Sequence, residues 1–170
     1  MDQELDNNKV ELKDRIFLFF KKNKFKILIF FAIFIIFSII VIVQNIIKEK
    51  ENNLISEKYV QAGLYLSSGE KERSFKIFEE IILSKNNFYS VLALNTILEK
   101  ELTKDKEKIL GFFKIAEQLD IDRNRKDLIA FKKALYLLKD SDFEDGNKIL
   151  RKLIETDSEL KIYAEEILDN

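Results

Sequence analysis

The sequence predicts an all-α protein: a single N-terminal transmembrane helix, then a domain of helical hairpins closed by a C-terminal capping helix. Three observations carry this reading. There is no Pro and only four Gly in 170 residues, so helix breakers are scarce. Residues 27–47 are apolar at 18 of 21 positions, broken only by Ser38, Gln44 and Asn45. After residue 48 the apolar positions recur at helical spacing.

Residues 1–26 read as a cytoplasmic tail. From Val10 to Phe25, charges alternate with Leu12, Ile16, Phe17, Phe19 and Phe20. This pattern fits a short interfacial helix lying on an anionic leaflet. It fits equally a disordered tail with a basic stop before the membrane. Five acidic residues share the tail with its lysines, which argues against nucleic acid as a partner.

Residues 27–47 contain no charge. About 20 such residues cross the ~30 Å hydrocarbon layer of a bilayer. The stretch is longer than the apolar core of a signal peptide and lacks a small-x-small cleavage site after it, so it reads as an uncleaved anchor. Six positive charges occupy residues 12–26, against three in 48–62 that Glu49, Glu51 and Glu57 balance. The positive-inside rule therefore keeps the N-terminus cytoplasmic and exports the rest, into the periplasm of a Gram-negative cell. The expected localisation is a single-pass protein of the bacterial inner membrane.

Residues 48–170 carry 22 basic and 25 acidic side chains and can form one core. Ala62, Tyr65, Ser74, Phe78 and Ile81 share their spacing with Ala134, Leu137, Gly146, Leu150 and Leu153. The offset between the two sets is two periods of a helical-hairpin repeat, each roughly 36 positions long. Small residues facing each other let two antiparallel helices approach, and the bulky ones fill the seam. A middle unit of helices near 88–102 and 106–119 supplies Gly111 and Ile115, although its first helix aligns only with a shift. A generic helical bundle is the alternative to a repeat. Turns are expected at Ser67–Glu70, Lys85–Asn87, Ile121–Asn124 and Lys139–Asp142. Thr156-Asp157-Ser158-Glu159 has capping-box spacing and predicts that the last helix starts at Thr156. On these residues the domain resembles the tetratricopeptide repeat, a solenoid of helical hairpins.

The basic-aromatic segment from Leu12 to Lys24, the single span and the degenerate repeats together resemble the YfgM-type proteins. The segments Asn87–Leu94, Leu128–Leu153 and Ser158–Leu168 are similar to that family's repeat region. The resemblance implies an ancillary subunit of the SecYEG translocon, which associates with a PpiD-like membrane-anchored periplasmic chaperone and assists newly exported proteins. A membrane-anchored regulatory or assembly factor for a different envelope complex is the competing expectation. A tail confined to residues 1–26 is short for a signalling domain, which favours the first.

Stacked hairpins make a concave surface suited to peptides or partner helices. Its candidate residues are Tyr59, Tyr65, Tyr89, Asn95 and Tyr136, although for each Tyr a half-buried core ring with its hydroxyl in water is the stronger expectation. Absent Cys and His exclude the usual zinc, haem and iron–sulfur ligand sets and the Ser–His and Cys–His nucleophile systems. Asp140–Gly146 resembles a calcium loop, but its Gly is one position late and Arg151 stands where a bidentate Glu belongs. Glu79-Glu80 and Glu165-Glu166 are adjacent and diverge around a helix. No enzyme activity, cofactor, metal or small-molecule substrate is expected; the expected partners are proteins and the bilayer.

Overall fold

The computed structural model describes the backbone of residues 2–169 and the side chains of 17, 21–26 and 28–169. Among the described residues there are seven helices and no strand. They are α1 (Asp2–Ser67), α2 (Lys71–Leu83), α3 (Tyr89–Glu99), α4 (Lys106–Glu117), α5 (Arg123–Lys139), α6 (Phe143–Glu155) and α7 (Lys161–Asp169). Packing divides the chain into two units, Met1–Lys50 and Glu51–Asn170.

The first unit is helical and holds the apolar stretch of α1, the one described helix long and apolar enough to cross a membrane. Phe30, Ile36 and Phe37 are each about three-fifths exposed, and no residue of its most apolar window is covered. In water such a helix leaves its whole circumference unfavourably hydrated; hydrocarbon removes that cost. Ser38 keeps its hydroxyl internal by donating to the Phe34 carbonyl at 2.9 Å. Asn23 departs from helical geometry (φ −110°, ψ 15°) among Lys21, Lys22, Lys24 and Lys26. Of the apolar tail residues, the side chains of Leu12, Ile16, Phe19 and Phe20 lie outside the described residues.

In the second unit, the end of α1 runs antiparallel to α2. Lys58 pairs with Glu80 at 2.8 Å, the Tyr59 ring meets Phe78, and Ser74 Oγ donates to the Ala62 carbonyl at 2.8 Å. The α5–α6 pair repeats that crossing. A Cβ added to Gly146 would stand 3.2 Å from the Ala134 carbonyl oxygen and 2.9 Å from Leu138. At both seams the predicted small residues thus stand directly against the main chain of the facing helix.

The turns obey the same offset. Gly69 (φ 85°) ends α1, with the amide of Glu70 bonding Tyr65 O and that of Gly69 bonding Leu66 O. Ser141 (φ 63°) stands to Gly69 as Ala134 stands to Ala62. It ends α5 with the same two bonds, from Asp142 to Leu137 and from Ser141 to Leu138. Glu101 (φ 49°) closes α3 identically, through Leu102 to Ile97 and Glu101 to Leu98. Along the chain Glu101 falls closer to Gly69 than to Ser141, which is why the middle unit aligns only with a shift.

The starts of α3, α4 and α5 are fixed by short polar side chains, whereas α2 and α6 have no such cap. Asp105 accepts from the Lys108 amide at 3.1 Å and Asp122 from that of Arg125 at 2.9 Å. Asn86 accepts from the amides of Phe88 and Tyr89. Thr156 does not play this part. Its hydroxyl donates back to the Lys152 carbonyl at 2.9 Å, Asp157 turns the chain in the left-handed region (φ 52°), and the last helix begins at Lys161. Ser158, buried, accepts from the Leu160 amide instead.

One apolar cluster joins α1 to α5 around Phe78, Ile81, Ile82, Leu94, Ile97 and Phe113. A second gathers Ala134, Leu150, Leu153 and Ala164 from α5, α6 and α7. Odd-numbered helices bond to one another at a near-constant separation: Tyr59 to Thr96, Asn95 to Lys132, and Glu101 to Lys139. Even-numbered helices and the residues at their starts also meet, through the Phe75–Phe112 rings and the Glu79–Lys108 and Lys106–Asp142 ion pairs, without a constant separation. The second unit is therefore two helix layers.

Candidate functional site

The middle hairpin departs from its neighbours at one place. In the first and third hairpins the left-handed residue is followed directly by the residue preceding the next helix, Glu70 or Asp142. In the second, Leu102, Thr103 and Lys104 intervene between Glu101 and Asp105. Counting back from the turn and forward from the residue before the helix, the positions matching Ala62 and Ser74 are Leu94 and Ile109. Both are buried and bulky. Gly111, expected at the seam, lies exposed with open space around it. Two large side chains at the crossing and a longer loop leave room between α3, α4 and α5.

That room is a cleft of about 550 Å³. Ile97, Leu98, Ile109, Leu135 and Tyr136 make its apolar lining. Asn95, Glu99, Thr103, Lys104 and Lys132, with the Glu101–Lys139 pair and Asp140, make its polar border. Two of the inserted loop residues thus line it.

The border is partly self-neutralised. Lys139 Nζ lies 2.8 Å from Glu101 Oε1; that hydrogen bond, then the lysine's charge, holds the Glu101 carboxyl below its ordinary pKa and raises that of Lys139. Lys106 Nζ lies 2.8 Å from Asp140 and 3.3 Å from Asp142, and these hydrogen bonds raise its pKa. Burial, then the charge of Asp140, raises the Tyr136 hydroxyl, which stays a neutral phenol. The calcium-like segment thus turns two of its carboxylates to a lysine, and among the described residues no three acidic side chains converge as a metal site.

Of the five residues singled out from sequence, Asn95 and Tyr136 come together in the cleft. Tyr136 also packs against Phe113, with ring centroids 6.0 Å apart. Tyr59 and Tyr89 pack on each other at 5.8 Å, and the Tyr59 hydroxyl bonds Thr96 at 3.1 Å. Tyr65 lies under the Arg73 guanidinium, 4.2 Å from its ring centre. The five do not form one site. Lys132, Leu135 and Leu98 line the cleft and were not singled out; the only sequence signal was the interrupted period before α4.

Comparison of the chain with protein-family models, curated proteins and solved structures finds no match.

Proposed function

We propose that this chain is an inner-membrane-anchored protein-binding scaffold, ancillary to the Sec translocon and to a PpiD-like periplasmic chaperone. Residues 27–47 hold it in the bilayer, and the hairpins form a tetratricopeptide-like solenoid with α7 as its cap. The observation that carries this reading is the hairpin crossing that recurs at a two-period offset, Ala62 against Ser74 and Ala134 against Gly146. A repeated crossing stacks hairpins into layers and leaves a surface between successive first helices for a partner segment. Anchoring keeps that surface at high effective concentration beside membrane partners. The apolar cleft with its few placed polar groups suits a peptide.

A photo-crosslinking amino acid placed at Leu135 in living cells tests this. The expected capture is a translocon subunit or a membrane-anchored periplasmic chaperone. Capture of a different envelope complex instead replaces the reading with that of an assembly or regulatory factor. An alkaline phosphatase fused after Asn170 is expected to be active; an inactive fusion overturns the periplasmic placement.

A further inference from the structure

Asn95 and Lys132 bring to the cleft hydrogen-bond donors that no acceptor among the described residues takes up, while Glu99, four residues after Asn95 on α3, is the one lining carboxylate outside every ion pair. Lys132 Nζ donates to Asn95 Oδ1 at 2.7 Å, so the amide oxygen of Asn95 is occupied by a cation. The ammonium keeps two further N–H groups and the Asn95 amide nitrogen has two more, all donors. Among the described residues no hydrogen bond takes up the Asn95 amide nitrogen, and no carboxylate stands within ion-pair distance of Lys132. Lys104, on the inserted loop, is outside every ion pair among the described residues, although its charge already acts on Glu101. The other cations of this region, Lys139 and Lys106, already have carboxylates.

The apolar part of the cleft lies one helical turn further on. Leu98 follows Asn95 by three residues on α3, and Leu135 and Tyr136 follow Lys132 by three and four on α5, each on the same helix face. Leu135 is 40% exposed. One turn advances about 5.4 Å, close to the roughly 6.7 Å between side chains two positions apart, on one face of an extended strand.

The geometry points to an acidic–apolar peptide segment of a partner protein as the occupant: an Asp or Glu carboxylate seats on Lys132 and Asn95, and a large apolar side chain two positions from it seats on Leu98, Leu135 and Tyr136. Charge-assisted donors recognise the carboxylate and the hydrophobic wall excludes water from it. Lys104 adds a second attraction at the border. The assignment rests on the scaffold reading for the occupant being a protein.

Fluorescence anisotropy on the full chain in detergent, with a labelled, C-terminally amidated peptide that places leucine two positions after each glutamate, tests it. The glutamate peptide is expected to bind, and its glutamine counterpart about tenfold more weakly, the scale of one lost charge-assisted hydrogen bond. Lys132→Met is expected to erase that preference, Lys132→Arg to keep it, Asn95→Ala to weaken it, and Lys58→Gln, away from the cleft, to leave it intact. Equal binding of the two peptides, or an unaltered preference in a folded Lys132→Met protein, overturns the proposal. So does binding only by a peptide with a free terminal carboxylate, which makes the cleft a chain-end site. The two readings fail separately. Identical crosslinks from Leu135 in native and Lys132→Met cells leave the scaffold standing and sink the carboxylate assignment. Lys132-dependent peptide binding with no envelope partner captured does the reverse.

Discussion

Ser74 Oγ donates a 2.8 Å hydrogen bond to the main-chain carbonyl of Ala62, from α2 across to α1. Both residues are fully buried. The hydroxyl replaces water at an oxygen that the crossing would otherwise seal off. Ser74→Ala is expected to cost about 1 kcal/mol, the net value of one such bond. Ser74→Leu is expected to cost about 3 kcal/mol by prying the helices apart. Circular-dichroism melting of the detergent-purified chain measures both, and a Ser74→Leu protein as stable as the native one refutes the seam.

Gly146 and Gly111 separate packing from helix propensity. Both sit inside helices, α6 and α4, where Ala is the better helix former by about 1 kcal/mol. At Gly111 nothing lies within 4 Å, so Gly111→Ala is expected to stabilise by about 0.5–1 kcal/mol. At Gly146 the new methyl meets Leu138 at 2.9 Å and the Ala134 carbonyl at 3.2 Å. Gly146→Ala is expected to destabilise by about 1 kcal/mol net. Melting shifts of the same sign contradict this account.

The turns at Gly69 and Ser141 offer a reciprocal pair. Both hold left-handed φ values, 85° and 63°, and a Cβ in that region costs about 1 kcal/mol. Ser141→Gly is expected to raise the melting temperature, and Gly69→Ala to lower it, with opposite shifts in urea midpoint.

Acid is expected to weaken the hairpins through Glu101 and Asp122. Hydrogen bonding from Lys139 lowers the Glu101 pKa, and hydrogen bonding from the Arg125 amide, then from its side chain, lowers that of Asp122. With folded values below unfolded ones, their contribution is present above the ordinary carboxylate range and is lost as pH falls through about 4 and below. Lys139 and Lys106 are raised, so their contribution is present at neutral pH and is lost only as pH climbs above about 10. Stability measured between pH 7 and 2 is expected to fall less steeply in Glu101→Gln and Asp122→Asn. A slope unchanged in both variants removes these two groups as the cause.

Charges placed in the apolar stretch are expected to release the chain from membranes. Arg at the centre of a spanning helix costs about 3 kcal/mol on insertion scales. The native chain is expected to resist alkaline carbonate extraction, and a Phe34→Arg, Ile40→Arg double variant to be extracted. A native chain that washes off refutes the anchor.

Much of the architecture was legible in the sequence because it is written at short range. Eighteen apolar residues in 21 define a helix suited to hydrocarbon, and small residues at 62, 74, 134 and 146 announce close crossings. The turn at Ser141 was signalled by Lys139-Asp140-Ser141-Asp142, and the helix ends there. The start of the last helix was misplaced because Thr156 found carbonyls of its own preceding helix before it could cap the next. The bond between Asn95 and Lys132 lies beyond such signals. Ile109 stands four positions after Asp105, as Ser74 and Gly146 stand after Glu70 and Asp142, so it takes the seam position; Gly111, two positions further, lies about 200° around α4 from it. Helical periodicity fixes which residues share a face of one helix. Which faces then meet, and where bulk holds them apart to leave a cleft, depends on volumes contributed by segments far apart in the chain, and only tertiary packing decides it.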